Sequence, residues 1–200
     1  TNGDVTVNGR ITTTGTSSGF PTFYFNGTTF TNNGEVSNIA GQYFVFGFNQ
    51  SITPRSQVVT GTGAWSPTEL YFGAGQGGAT TVTLMNDMTF SGSIFSTKGQ
   101  FSSFNIGANT LTHTGSSFGG TVNGTGTIRM QPVSGTTTFS GIVTPGMKIV
   151  SGTVSTGSSS VGGPLVIDSG AALSLTGSFF ARGDVTVNGT IGQPSGIPVF

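Results

Sequence analysis

Apolar and polar positions alternate with a period of two in short runs along the whole chain. Val5-Thr6-Val7, Thr22-Phe23-Tyr24-Phe25, Thr81-Val82-Thr83-Leu84, Thr110-Leu111-Thr112, Thr127-Ile128-Arg129-Met130, Lys148-Ile149-Val150, Leu165-Val166-Ile167 and Leu173-Ser174-Leu175 all follow it. A period of two lays one set of side chains on each face of a β-strand. The inward set is Val, Ile, Leu and Phe. The outward set is mostly Thr, which suits a pleated, solvated surface. No stretch offers apolar residues at helical spacing. The longest segment free of Gly and Pro, Ala79 to Ser91, itself alternates. Essentially no α-helix is predicted.

Corner signals separate the runs. Asn-Gly occurs at 2-3, 8-9, 26-27, 33-34, 123-124 and 188-189. Both residues tolerate positive φ and fit tight corners. The same dipeptide also marks β-hairpins, so antiparallel meanders or sandwiches compete with a parallel solenoid on this signal alone. Repetition favours the solenoid. Gly3-Asp4-Val5-Thr6-Val7-Asn8-Gly9-Arg10-Ile11 returns as Gly183-Asp184-Val185-Thr186-Val187-Asn188-Gly189-Thr190-Ile191, and looser echoes occur at 120–125 and 30–36. Self-similarity of this kind signals repeat architecture. Two readings of the long spacing stand side by side: a recurring rung consensus, or tandem modules in a longer parent. The fold expected is all-β, a parallel β-solenoid (β-helix) with coils of roughly 20–30 residues, hence about seven to nine of them. Residues 1–200 form a single module, read as a slice of a longer repetitive chain. Residues 1–78 are less regular and aromatic-rich, with Ser51 to Pro67 expected to form a loop excursion. Residues 79–200 hold the more regular coils.

Composition rules out several alternatives. Gly, Ser, Thr and Asn make up just over half the chain, a bias that can mean disorder. Yet Val, Ile, Leu and Phe supply 51 of 200 residues and the net charge is zero, so there is a core to bury and no self-repulsion. Cysteine is absent, so burial and backbone pairing must supply the stability. Six acids and six bases are 6% of the chain, against roughly 25% in ordinary domains. Arg10, Arg55, Lys98, Arg129, Lys148 and Arg182 are scattered singly and make no nucleic-acid footprint. No apolar run approaches the roughly 18 residues of a membrane span, so no membrane insertion is expected in this segment.

Three segments carry a resemblance: Phe104-Asn105-Ile106-Gly107-Ala108-Asn109-Thr110-Leu111-Thr112, Val122-Asn123-Gly124-Thr125-Gly126-Thr127-Ile128, and Leu165 through Leu175. Their pattern resembles the coils of giant secreted β-solenoid surface adhesins of Bacteroidota-type bacteria and, more distantly, autotransporter passengers. It covers about half the chain. The resemblance implies an extracellular or cell-surface location and a role in adhesion, gliding or matrix.

The chemistry-bearing residues are few. The acids Asp4, Glu35, Glu69, Asp87, Asp168 and Asp184 all lie more than ten residues apart. A glycosidase needs two carboxyls across one bond, which only folding could assemble. His113 is the only histidine, and alternation puts it on the inward face with Leu111, as a structural residue. One histidine, no cysteine and no Asp-x-Asp cluster argue against a metal site. Arg182-Gly183-Asp184 spells a tripeptide that cell-surface receptors read, but a tripeptide is short enough to arise by chance. Asn26, Asn49, Asn123 and Asn188 head N-x-S/T sequons, read mostly as turn residues. Thr81/Thr83, Thr110/Thr112, Thr125/Thr127 and Thr136/Thr138 suggest an ice-binding face, but their spacing is uneven. Trp65, Tyr71, Tyr24 and Tyr43 are the candidate partner or glycan contacts, by aromatic stacking. No catalytic, cofactor-binding or metal-binding residue is expected and no enzyme activity. The expected role is a structural or adhesive segment, a rigid stalk or spacer, whose partners are neighbouring modules of the same protein or fibre. The alternative is a carbohydrate- or surface-binding module; an ice-binding or polysaccharide-cleaving solenoid ranks below it.

Overall fold

The computed structural model describes residues 1, 3–13, 23–38, 43–46, 55–72, 80–96, 103–133 and 135–192, the side chains at 13, 38, 43, 95 and 96 excepted. The strands wind in circuits of three. β1 (Val5–Val7), β2 (Arg10–Thr13) and β3 (Phe23–Phe25) open the stack. Above them run β4 (Thr29–Asn32), β5 (Glu35–Asn38) and β6 (Tyr43–Phe46), then β7 (Arg55–Thr60), β8 (Ala64–Ser66) and β9 (Glu69–Phe72), then β10 (Thr80–Leu84), β11 (Met88–Phe90) and β12 (Ser93–Ser96). β13 (Ser103–Asn105) and β14 (Thr110–His113) lead into β15 (Ser117–Asn123), a long strand that bends from the third face onto the first; β16 (Thr127–Met130) and β17 (Thr136–Val143) repeat the manoeuvre. The last circuits are β18 (Gly146–Ile149), β19 (Thr153–Thr156), β20 (Ser159–Val161), β21 (Leu165–Ile167), β22 (Ala172–Leu175), β23 (Phe179–Ala181), β24 (Val185–Val187) and β25 (Thr190–Gly192).

The fold is a parallel β-solenoid with no helix among the described residues. Its second face is a nine-stranded parallel sheet, β2-β5-β8-β11-β14-β16-β18-β21-β24. The first and third faces belong to one sixteen-stranded sheet because β15 and β17 join them. Parallel pairing decides between the two readings of Asn-Gly: these corners redirect the chain to the next face instead of reversing it into a hairpin.

Like positions in successive circuits meet on the axis. On the second face the inward ladder runs Ile11, Val36, Trp65, Phe90, His113, Met130, Ile149, Ile167, Val187. On the third face Phe25, Phe46 and Phe72 stack in register, and Phe72 lies flat on Phe104 with ring centroids 3.9 Å apart. Val5 pairs with Phe30 and Phe30 with Val59, circuits of 25 and 29 residues, where Phe and Trp fill the core. Phe104 pairs with Val122 and Val143 with Val161, 18 residues apart.

Two sequence expectations change. Ser51 to Pro67 is not a loop excursion as a whole: β7 and β8 occupy 55–60 and 64–66 and pair on both sides. The polar Gln57 obscured that strand, because it stands at an inward position, 1% exposed, and donates to the carbonyls of Phe25 (3.1 Å) and Gly27 (2.8 Å). The repeated nonapeptide also behaves unexpectedly. Its first copy runs from the first face to the second, as β1 and β2; its second runs from the second face to the third, as β24 and β25. It encodes strand, corner, strand, whichever face it begins on.

Close approach, more than positive φ, explains most Asn-Gly corners. Of the glycines following Asn at 9, 27, 34, 124 and 189, only Gly124 has a left-handed φ, +134°. At Gly34 an added Cβ would lie 1.9 Å from the carbonyl oxygen of Gly9, and at Gly63 it would lie 2.4 Å from that of Gly34. Gly34→Ala is therefore expected to cost about 2–3 kcal/mol, the scale of overpacking a tight site. Gly157→Ala, where a Cβ meets nothing within 4 Å and φ is not left-handed, is expected to be neutral or slightly stabilising. Urea denaturation of both variants checks the contrast; equal effects would remove close packing as the reason for glycine in the corners.

Candidate functional site

Most of the carboxylates that could do chemistry are held by the scaffold. Asp4 Oδ1 accepts the Thr28 and Thr29 amides of the next circuit at 2.9 and 2.8 Å. Asp87 Oδ1 accepts the Thr110 amide at 2.8 Å in the same way. Each carboxylate supplies acceptors for amides that begin the strand above, where the backbone ladder has turned away. Glu35 pairs with Arg10 at 3.3 Å, Asp168 with Lys148 at 3.1 Å, and Glu69 accepts the Tyr71 hydroxyl at 2.9 Å. Among the described residues no three His, Asp or Glu side chains come together.

His113 stands in the middle of the inward ladder between Phe90 and Met130, fully buried, with its edge against the Phe118 ring at 5.3 Å. Its Nε2 lies 2.8 Å from the Gly92 carbonyl, which makes that nitrogen the protonated donor of a neutral ring. Nδ1 makes no hydrogen bond. Burial lowers its pKa from 6.5 to about 4, and backbone polarity from Gly92 and Ser117 offsets only part of that. The inward placement read from alternation holds.

The aromatic candidates separate. Trp65 is 4% exposed and belongs to the core, packed against Phe30 with centroids 5.5 Å apart, so its indole is not available as a stacking platform. Tyr71 is also buried. Tyr24, 39% exposed, points outward from β3. The Tyr43 side chain and Asn49 lie outside the described residues. The threonine pairs do not extend into an array: outward Thr110 and Thr112 neighbour Thr127 and Arg129, and these neighbour Gly146 and Lys148. Arg182 and Asp184 are exposed, but a Cβ on Gly183 would lie 2.5 Å from Gly163, so the tripeptide is packed along a corner and not carried on a projecting loop.

A groove on the second face carries no clear sequence signal. β8 and β11 pair only through Trp65 and Phe90, whereas β11 and β14 pair through three residues and β14 and β16 through four. Beside that weak seam is an open cavity of about 470 Å³ lined by Thr62, Ala64, Ser66, Asp87, Thr89 and Ser91. The volume lies in the range of small-molecule clefts. The lining combines outward residues of β8 and β11 with corner residues, and the buried Trp65 and Met88 border it from below.

The chain matches no protein-family model, no curated protein and no solved structure. Function is therefore argued from this geometry.

The buried histidine gives a pH signature. Between about pH 6.5 and 4 the unfolded chain binds the His113 proton and the folded chain does not, so stability falls as pH drops through that window and levels off below it. The loss is expected to total about 3 kcal/mol. Urea denaturation across that range should show this slope in the parent chain and its removal in His113→Met; identical slopes would mean the ring is not held neutral.

Proposed function

We propose that this chain is a structural segment of a large extracellular surface or fibre protein, acting as a rigid spacer. The observation that carries this reading is the unbroken parallel ladder of nine strands on the second face, with the inward positions stacked throughout. Eight inter-strand steps at about 4.8 Å give a stack of about 40 Å. Such a stack is quasi-one-dimensional: each circuit is stabilised by its neighbours, and length is set by the number of circuits. The chemistry of the surface supports the same reading. Five of the six acids have structural partners, and the exposed faces are mostly hydroxyl and amide. Sparse charge and the resemblance to adhesin coils support an extracellular setting, where a disulfide-free chain draws its stability from stacked circuits.

The groove between β8 and β11 favours a second reading, a carbohydrate-binding module. Its hydroxyls, the Asp87 carboxylate and the apolar Ala64 have the mixed character that sugars need. A panel of polysaccharides separates the readings. The spacer is expected to bind none of them and to release no new reducing ends. Saturable binding abolished by Thr89→Arg, which fills the groove from an exposed position, would favour the second reading. Turnover lost on replacing a single acid would overturn both.

A further inference from the structure

The third circuit (β7, β8 and β9) meets the fourth (β10, β11 and β12) unequally on the three faces. On the first face β7 and β10 pair through five residues, and on the third face β9 and β12 pair through four. On the second face β8 and β11 pair through Trp65 and Phe90 alone. The backbone bond beside that pair is long: the Ser91 amide donates to the Trp65 carbonyl at 3.4 Å. At the same position of later circuits Thr114 donates to Phe90 at 2.9 Å, Gln131 to His113 at 2.8 Å, Val150 to Met130 at 2.9 Å, Asp168 to Ile149 at 2.9 Å and Asn188 to Ile167 at 2.8 Å. The thin step is bounded by shorter bonds on both sides. Met85 donates to Val59 at 3.0 Å where the first face ends, and Ser93 donates to Thr68 at 2.8 Å where the third begins.

The layers on either side of this step are tied elsewhere. The amides of Gly63 and Ala64, which open β8, donate downward to Asn32 and Gly34 of the second circuit at 2.7 and 2.8 Å. The Trp65 ring contacts Phe30, Phe44 and Phe46, all of the second circuit, and no described ring of the fourth. Two features cross the step away from the second face. Phe72 of the third circuit lies flat on Phe104 of the fifth, and Asn86 Oδ1 accepts the Thr60 hydroxyl at 2.6 Å and the Gly61 amide at 3.1 Å.

We propose that the stack bends at this seam. The circuits through β9 and those from β10 onward turn against each other about the continuous first and third faces, and the groove beside Thr62, Ala64 and Thr89 widens as they part. A hinge needs one side free to open and another that stays joined, and the seam supplies both. Parting here breaks one long hydrogen bond, whereas the same motion between β14 and β16 breaks a ladder of four paired residues. Trp65 travels with the lower body, because its ring neighbours belong to the second circuit. The inference refines the spacer reading by locating where a stiff stack yields. The use of the bend in a fibre rests on that reading; the bend itself does not.

Hydrogen exchange of the parent chain tests the seam. After correction for local sequence, the Ser91 amide is expected to exchange on the order of tenfold faster than those of Gln131 and Val150, its counterparts at tight steps. Spin labels test the bend, and the absence of cysteine lets them be placed singly. Glu35→Cys/Arg129→Cys spans the seam over four inter-strand steps, and Thr89→Cys/Val166→Cys spans four steps above it, each about 19 Å along the axis. All four positions point outward on the second face. Pulsed electron resonance is expected to give a broader distance distribution for the pair that spans the seam, with circular dichroism confirming that both variants fold. Exchange at Ser91 as slow as at Gln131, or equal widths for the two pairs, overturns the proposal. Such a uniformly stiff stack leaves the spacer reading standing, because that reading is tested by polysaccharide binding and turnover.

Discussion

Each strand in this chain finds its hydrogen-bond partners one circuit earlier and one circuit later, and the rest of the structure follows from that axial pairing. Strands about 4.8 Å apart along an axis leave no freedom in what a side chain meets: it meets the residue at the same position of the next circuit. Apolar positions therefore become continuous ladders, and a core forms although no single strand on the second face exceeds four residues. Corners are stacked as closely as strands, which is why Gly34 faces the Gly9 carbonyl with no room for a Cβ. Carboxylates beside those corners are drawn into the same scheme, as Asp4 and Asp87 show by accepting amides of the circuit above.

Several polar residues of the core are anchored by a backbone carbonyl or amide that turns toward them. Asn32 is fully buried, yet its Nδ2 donates to the Ala64 carbonyl at 2.9 Å and its Oδ1 accepts the Gly34 amide at 3.1 Å. Gln57 and His113 satisfy one end of the side chain in the same fashion and leave Oε1 and Nδ1 without a partner. A buried unpaired polar atom costs on the order of 1–3 kcal/mol. These residues therefore act as ladder positions with a backbone anchor. The groove beside β8 arises from the converse situation, where pairing thins to one residue and the surface opens.

Much of the architecture was legible from period and punctuation. The alternation at Val5–Val7, Thr110–Thr112 and Leu165–Ile167 marks strands because side-chain direction inverts at every residue, a purely local property. Gln57 shows the limit. Its amide belongs inside only because the Phe25 and Gly27 carbonyls lie one circuit away, so a polar residue interrupts the alternation and hides the strand at 55–60. Trp65 shows the same limit for function. An aromatic between Ala64 and Ser66 reads as a surface ring until its neighbours in the stack, Val36 and Phe90, are known.

The sequence by itself determined the β class, the lack of helix, the inward placement of His113 and the sparse charge, because each depends on nearest neighbours or on a count. Only the tertiary structure decided which strands pair, that they pair in parallel, where the second-face groove opens and which face each copy of the nonapeptide occupies. A strand of three or four residues carries no record of the partner 18 to 29 positions away. That information lies in the stack as a whole, where like positions of successive circuits meet on the axis.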